Sequence, residues 1–160
     1  MTDYAGLLKA LTEGGVEFIL IGGMAAAFHG SIRSTADVDV VYRRTPENMQ
    51  RLAGSLSRIH PSLRGAPPGL PFRFDVRTIQ QGLNFTLSTD LGPVDLLGEV
   101  VGGGTYEALL PHTSIGNVVG VECRCVELDT LIHLKRAAGR PKDLEALAEL
   151  EALREERQGR

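Results

Sequence analysis

Asp37 and Asp39 are the residues in this chain whose types and spacing most directly suggest chemistry. They stand in the alternating, valine-rich run Asp37-Val38-Asp39-Val40-Val41-Tyr42, which predicts a β-strand. On a strand, side chains alternate faces, so the two carboxylates point the same way with Cα atoms about 7 Å apart, while Val38 and Val40 face a core. Left bare, two such carboxylates repel and raise each other's pKa, and a divalent cation between them removes that penalty. Hard oxygen ligands with no neighbouring Cys/His set suit Mg2+ or Mn2+, and Mg2+ normally completes its shell with water and substrate phosphates. Upstream, Gly22-Gly23 falls at the junction of an apolar strand and a helix, where absent side chains let an anion approach backbone N–H groups. Each feature has a bland reading alone, as a turn or a solvated strand edge. Together, in strand–turn–helix–strand order, they describe an anion site beside a metal site.

The elements that must position these residues can be read along the chain. Tyr4, Leu7, Leu8 and Leu11 recur at helical spacing before Gly14-Gly15, which predicts a helix over 3–13. Residues 16–21 read as a buried strand and 24–29 as a short helix ended by Gly30. Thr45 caps a helix with Pro46 at its first position, running to about residue 59. Residues 60–71 hold four of the eight prolines and are expected to form a flexible loop, serving as a lid or a disordered connection. Residues 72–79 and 83–89 are expected to pair as antiparallel strands around Gln80-Gln81-Gly82, and Gly92-Pro93 turns into a strand over 94–97. A helix near 105–110, a strand pair over 113–126 turning near 116–120, and helices over 128–138 and 142–157 complete the chain, the last two broken at Gly139-Arg140-Pro141. The expectation is an α+β domain, a mixed sheet flanked by helices, rather than a doubly wound one. It spans 1–160 as one unit, with 127–157 a C-terminal helical segment.

Composition bounds the possibilities. A chain of 160 residues, 42% hydrophobic and 23% charged, suffices for one ordinary core. It has no apolar run near the ~20 residues that span a bilayer, and its first residues resemble neither a secretory signal nor a transit peptide, so a soluble cytoplasmic protein is expected. The net charge of −3 hides an asymmetry: from Arg33 to Arg77 eight arginines face four acids, and the tail after Lys142 is mostly acidic. A phosphate-rich partner could approach the first half, although solvated helix faces explain the pattern equally well. Cys123 and Cys125 share one face of an extended segment and fall short of the four ligands of a structural zinc, so both are read as reduced thiols. His29 reads as a structural helix-end residue, His133 as partly buried, and His60 and His112 as loop residues; none has metal-ligand spacing.

The combined pattern resembles the polymerase-beta-like nucleotidyltransferase superfamily, whose signature is a Gly-Gly or Gly-Ser pair, a helix, and Asp-x-Asp or Asp-x-Glu on the next strand. Gly22-Gly23, His29-Gly30, Arg33-Ser34-Thr35-Ala36-Asp37-Val38-Asp39 and the late segment Leu131-Ile132-His133-Leu134-Lys135 with Gly139-Arg140-Pro141-Lys142-Asp143 are similar to small bacterial members. These include toxin components of abortive-infection and related toxin–antitoxin systems. The resemblance implies a third carboxylate on a neighbouring strand. Asp95, the one acid in the short apolar stretch Val94-Asp95-Leu96-Leu97, is the candidate, joining the metal cluster and taking a proton from an attacking hydroxyl. Asp75, in Phe74-Asp75-Val76, is its rival; Asp90 reads as a turn residue. Arg33, with the hydroxyls of Ser31, Ser34 and Thr35, could touch phosphate oxygens, or Arg33 could hold the aspartates before metal arrives. Lys135 and Arg140, with Lys142, could reach a triphosphate from the C-terminal helices. Alternatively, Lys142 and Asp143 belong to the first turn of the last helix and Arg140 caps the preceding one.

The implied activity transfers a nucleoside monophosphate from a nucleoside triphosphate to a hydroxyl acceptor, with two Mg2+ or Mn2+ ions held by Asp37, Asp39 and Asp95. An RNA 3′ end, a protein hydroxyl or a small molecule would each serve as acceptor. The competing reading keeps the fold as a binding or regulatory module, paired with a second copy or a partner encoded alongside it, as a toxin–antitoxin component would be. A metal-dependent phosphohydrolase is disfavoured, since the histidines such sites commonly use are missing.

Overall fold

The computed structural model describes residues 1–67 and 69–159. Helix α1, Tyr4–Glu13, starts where the Asp3 carboxylate accepts from the Gly6 amide, and it buries Leu7, Leu8 and Leu11. It gives way at Gly14 and Gly15 to β1, Phe18–Ile21, every residue of which is buried. Helix α2, Gly22–Phe28, follows directly and leads through a loop to β2, Val38–Tyr42. Thr45 accepts from the Asn48 amide and Pro46 takes the first position of α3, Pro46–Ser57, as the sequence signal predicts.

The stretch expected to be a loop contains a short strand, β3, Ser62–Leu63, paired with β4, Asn84–Thr89. Pro68, within the same stretch, lies outside the described residues. The strand expected over 72–79 is absent. Instead Asp75 caps helix α4, Val76–Gln81, its Oδ1 accepting from the Thr78 amide at 2.9 Å. Val76, Thr78 and Ile79 favour a strand locally, but the Asp75 cap and burial of Phe74 and Ile79 favour the helix, and β propensity yields readily to packing. Phe74 meets Phe85 of β4 edge-on at 5.8 Å between ring centroids.

Strand β5, Gly92–Leu97, pairs antiparallel with β4 along its whole length. Helix α5, Tyr106–Leu109, and a 3-10 turn, Leu110–His112, lead into β6, Thr113–Val118, and β7, Val121–Val126. The turn between them is Val119-Gly120; Gly116 lies inside β6. Helices α6, Leu128–Ala138, and α7, Pro141–Gln158, close the chain, with Gly139 left-handed at φ 65° between them.

The strands form one seven-stranded mixed sheet in the order β3-β4-β5-β2-β1-β7-β6. Its centre joins β2 parallel to β5 and antiparallel to β1, while β1 runs parallel to β7. Parallel neighbours require a long crossover, supplied between β2 and β5 by α3, β3, α4 and β4. Helix α2 packs on β1 and β2 and against α6, which carries α7; α1 and α3 pack together. Val38, Val40, Val94 and Leu96 are wholly buried, and burying each such side chain contributes roughly 1.5–3 kcal/mol. Cys123 and Cys125 are buried free thiols, their pKa values pushed up to about 11 and about 12 by burial. No helix among the described residues is long and apolar enough to cross a membrane.

Candidate functional site

Strand register brings the acidic residues together. In β2 and β5, Asp39 lies directly opposite Asp95; on the outer side Asp95 faces Thr86 of β4, and on the inner side Asp39 faces Ile21 of β1. Residues in one row across a sheet share a face, and Asp37, two residues before Asp39, joins them. A one-residue slip between β2 and β5 would send Asp95 into the core beside Val38 and Val40. With the register as it is, one carboxylate oxygen from each of Asp37, Asp39 and Asp95 lies within 4.8 Å of the others.

This crowding has an electrostatic cost. The Asp39 carboxyl is pushed up to about 7, first by burial and then by the adjacent Asp95 and Asp37 carboxylates, with Lys135 opposing. Asp39 Oδ1 and Asp95 Oδ1 are both buried without a hydrogen bond. Two buried carboxylate oxygens lacking donors, in a cluster of three acids, fit an oxygen-coordinated divalent cation. The nearest cation in the structure is Arg64, beyond the end of β3. Its Nη2 is 3.0 Å from Asp95 Oδ1, in an ion pair without hydrogen-bond alignment, and its Nη1 is 3.6 Å from Asp37 Oδ2.

The double glycine has a steric reason that its spacing did not reveal. Gly22 begins α2 at φ 68°, and a Cβ there would lie 2.1 Å from Asp39 Oδ2. A Cβ on Gly23 would lie 2.5 Å from Thr35 Cβ and Oγ1. The bare backbone thus lets the start of α2 close onto the acidic cluster.

A cavity of about 320 Å³ opens over the cluster. Gly22, Asp37, Asp39, Asp95 and Thr86 form its polar floor, Leu97, Val100, Leu131 and Leu134 an apolar wall, and Lys135, Arg140 and Lys142 a cationic rim. The rim is braced by Asp143, whose side chain is 1% exposed. Asp143 accepts from Arg140 Nε at 2.6 Å and from the Arg140 amide at 3.2 Å, and lies 3.5 Å from Lys135 Nζ. Burial pushes the Asp143 carboxyl up, but the hydrogen bond and charge of Arg140, with Lys135, outweigh it and leave its pKa lowered.

The chain as a whole superposes on known structures. A candidate nucleotidyltransferase of Thermotoga maritima superposes with a TM-score of 0.50 at 14% identity, covering 100% of this chain and 97% of that one. The antibiotic-resistance factor ANT(2'')-Ia superposes with a TM-score of 0.56 at 15% identity, covering 97% and 89% respectively. The fold is that of the nucleotidyltransferases. No protein-family model matches the sequence, and no curated protein matches it.

On the nucleotidyltransferase fold, the expected residues divide. Asp37, Asp39, Asp95, Gly22, Lys135, Arg140 and Lys142 line the one cavity. Ser31 and Arg33, with Gly23, Ser34 and Thr35, line a second hollow of about 290 Å³ that shares Asp37, Asp39, Lys135, Arg140 and Lys142 with the first. There Ser31 Oγ donates to Glu149, whose other oxygen accepts from the Ile32 amide at 3.1 Å, and Arg33 pairs with Glu145 at 3.5 Å. Arg33 therefore does not hold the aspartates; Arg64 does. Asp75 is committed to capping α4, which holds its carboxyl below the usual range through the Thr78 amide, so it is no rival to Asp95. Arg140 caps the start of α7, while Gly139 ends α6.

Among the histidines, His29 ends α2 and is buried, its Nε2 2.7 Å from the Val126 carbonyl and its own carbonyl accepting from Arg157. His133 is exposed rather than partly buried, on the outer face of α6. His60 pairs with Asp90 at 2.5 Å. The bracing role of Asp143 and the place of Arg64 escaped sequence reasoning. Asp143 carried a signal, since an acid three residues after a helix start can fold back on the cap. Arg64 carried none, because only the placement of β3 at the sheet edge brings it to the aspartates.

Proposed function

We propose that this protein is a metal-dependent nucleotidyltransferase that moves a nucleoside monophosphate from a nucleoside triphosphate to a hydroxyl acceptor. The observation that carries the reading is the pairing of Asp39 with Asp95 across β2 and β5, on the face shared with Asp37 and roofed by the start of α2. The Asp37, Asp39 and Asp95 oxygens would hold Mg2+ or Mn2+, which when bound neutralises phosphate charge and makes an acceptor hydroxyl more acidic.

The chain's own residues would do the rest. Lys135, with Arg140 and Lys142, draws the triphosphate to the cavity rim, and Asp143 fixes the two side chains it touches. The apolar wall of Leu97, Val100, Leu131 and Leu134 suits a flat base. Asp95 accepts the proton of the acceptor hydroxyl as its oxygen attacks the α-phosphorus in line, forming a phosphodiester or phosphoester bond as pyrophosphate leaves. Ser31, Arg33 and Glu149, around the adjoining hollow, would meet the acceptor side, which an RNA end, a protein or a small molecule could fill.

Incubation with Mg2+, each α-labelled triphosphate and total cellular RNA, protein or metabolite extract tests this directly. Label should appear in one acceptor fraction with release of pyrophosphate, and disappear in Asp95→Asn. Absence of transfer and of pyrophosphate with every triphosphate would refute catalysis. One observation favours a second reading, a binding or regulatory module: Arg64 already neutralises two of the carboxylates. That reading expects triphosphate to bind without turnover.

A further inference from the structure

We propose that Arg64 is a built-in counter-cation that holds the acidic cluster together in the metal-free protein and must leave Asp95 and Asp37 for a divalent ion to bind. The inference rests on the reading of Asp37, Asp39 and Asp95 as a cation seat.

The guanidinium is installed by the fold rather than met by chance. The Arg64 amide donates to the Thr86 carbonyl at 3.0 Å, extending the β3–β4 pairing by one residue. From there the side chain crosses β4. Its Nη2 donates to the Leu87 carbonyl at 2.7 Å and approaches the Val94 carbonyl at 3.4 Å, two residues that face each other across β4 and β5. The same Nη2 is 3.0 Å from Asp95 Oδ1, and Nη1 is 3.6 Å from Asp37 Oδ2. One cation thus meets oxygens from two strands and from two of the three clustered acids, an all-oxygen environment of the kind a hard metal ion also prefers.

The fit is serviceable but incomplete, and that makes Arg64 displaceable. Its Nε is buried with no partner, the Asp95 pair lacks hydrogen-bond alignment, and Asp39 Oδ1 is left without a donor. The Arg64 side chain is 30% exposed, and its carboxylate partners are 32% and 28% exposed. Ion pairs with this much access to water are weak individually. Without any cation, however, the three carboxylates would repel one another. Arg64 supplies enough charge to keep them assembled, while leaving oxygens that a divalent ion would satisfy better. A guanidinium and a divalent ion beside the same carboxylates repel, so ion binding and release of Arg64 are coupled. Because Arg64 follows β3 directly and its amide extends the β3–β4 pairing, that release reaches the edge strand.

Mn2+ binding without nucleotide tests the idea, followed by isothermal calorimetry and by the loss of the free-ion electron paramagnetic resonance signal at fixed ionic strength. Arg64→Ala should bind Mn2+ about tenfold more tightly than wild type, the scale expected on removing one charge from beside a partly shielded ion. Arg64→Lys, whose compact ammonium cannot span both carboxylates, should fall between them. In metal-free buffer Arg64→Ala should melt below wild type, and Mn2+ should raise its melting temperature by more. Arg64→Gln replaces the alanine variant if that one fails to fold. Equal or weaker Mn2+ binding by the neutral variants, with binding still abolished in Asp39→Asn, would overturn the role of Arg64 and leave the cation seat intact. Failure of wild type and every Arg64 variant to bind Mn2+ would overturn both.

Discussion

Replacing Gly22 by alanine tests whether the start of α2 is packed onto the acidic cluster as tightly as the geometry requires. The new Cβ would lie 2.1 Å from Asp39 Oδ2, 2.9 Å from its Cγ and 3.0 Å from its Cβ. Gly22 also holds φ 68°, where an L-residue with a Cβ costs roughly 1–2 kcal/mol. Displacing a packed side chain adds about 1–3 kcal/mol. The sum is a loss of roughly 2–5 kcal/mol, which for a chain of this size lowers the melting temperature by on the order of 5–15 °C. Asp39 would have to swing away, so Mn2+ affinity should fall along with stability. Gly54 is the control: it lies inside α3, and a methyl group added there would meet nothing within 4 Å, so Gly54→Ala should stabilise by about 1 kcal/mol and leave Mn2+ binding untouched. Thermal melts with and without chelator, with Mn2+ titrations on both variants, give the answer. A Gly22→Ala protein as stable as wild type and binding Mn2+ equally well would refute the close approach.

Asp39 predicts an unusual pH dependence. Its folded pKa of about 7 lies above the ordinary 3.8, so its contribution to stability is fully present below about 3.8 and is lost as pH rises through about 7. Urea melts in chelator should show the metal-free wild type losing stability between about pH 4 and 7 relative to Asp39→Asn and levelling off above that, and Mn2+ affinity should fall as pH drops below 7. Lys135→Ala should weaken triphosphate binding more than monophosphate binding by calorimetry, since Lys135 stands at the cavity rim; equal losses would make it structural. Asp75→Ala should cost about 1 kcal/mol through loss of the α4 cap while leaving Mn2+ and nucleotide affinity unchanged, in contrast to Asp95→Asn.

Several elements were legible because their signals are local. The α1 leucines, the Thr45-Pro46 start of α3 and the glycine at the end of α6 act within one or two turns of chain, and each element formed as predicted. Residues 72–79 were misread for the same reason in reverse: their β-branched side chains speak for a strand, while the contact of Phe74 with Phe85 that helps settle the matter is not local. The Asp-x-Asp pair and double glycine suggested a metal-and-anion site from residue type and spacing, and the structure sets Gly22 against Asp39 beside Asp37 and Asp95. Their meaning shifted in one respect, since Gly22 is required by the approach of Asp39 whatever ligand is bound.

The sequence by itself determined which side chains could act together on one strand, because period-2 alternation is a property of the strand and needs no partner. It was sufficient for Asp37 and Asp39. Only the tertiary structure decided that Asp95 lies opposite Asp39, since register between strands separated by a long crossover depends on packing of the whole sheet. It also decided that Asp143 braces Lys135 and that Arg64, not Arg33, meets the aspartates. Charges read along a chain carry no direction in space. A guanidinium just past an edge strand reaches an acid two strands away only when the sheet order puts a single strand between them.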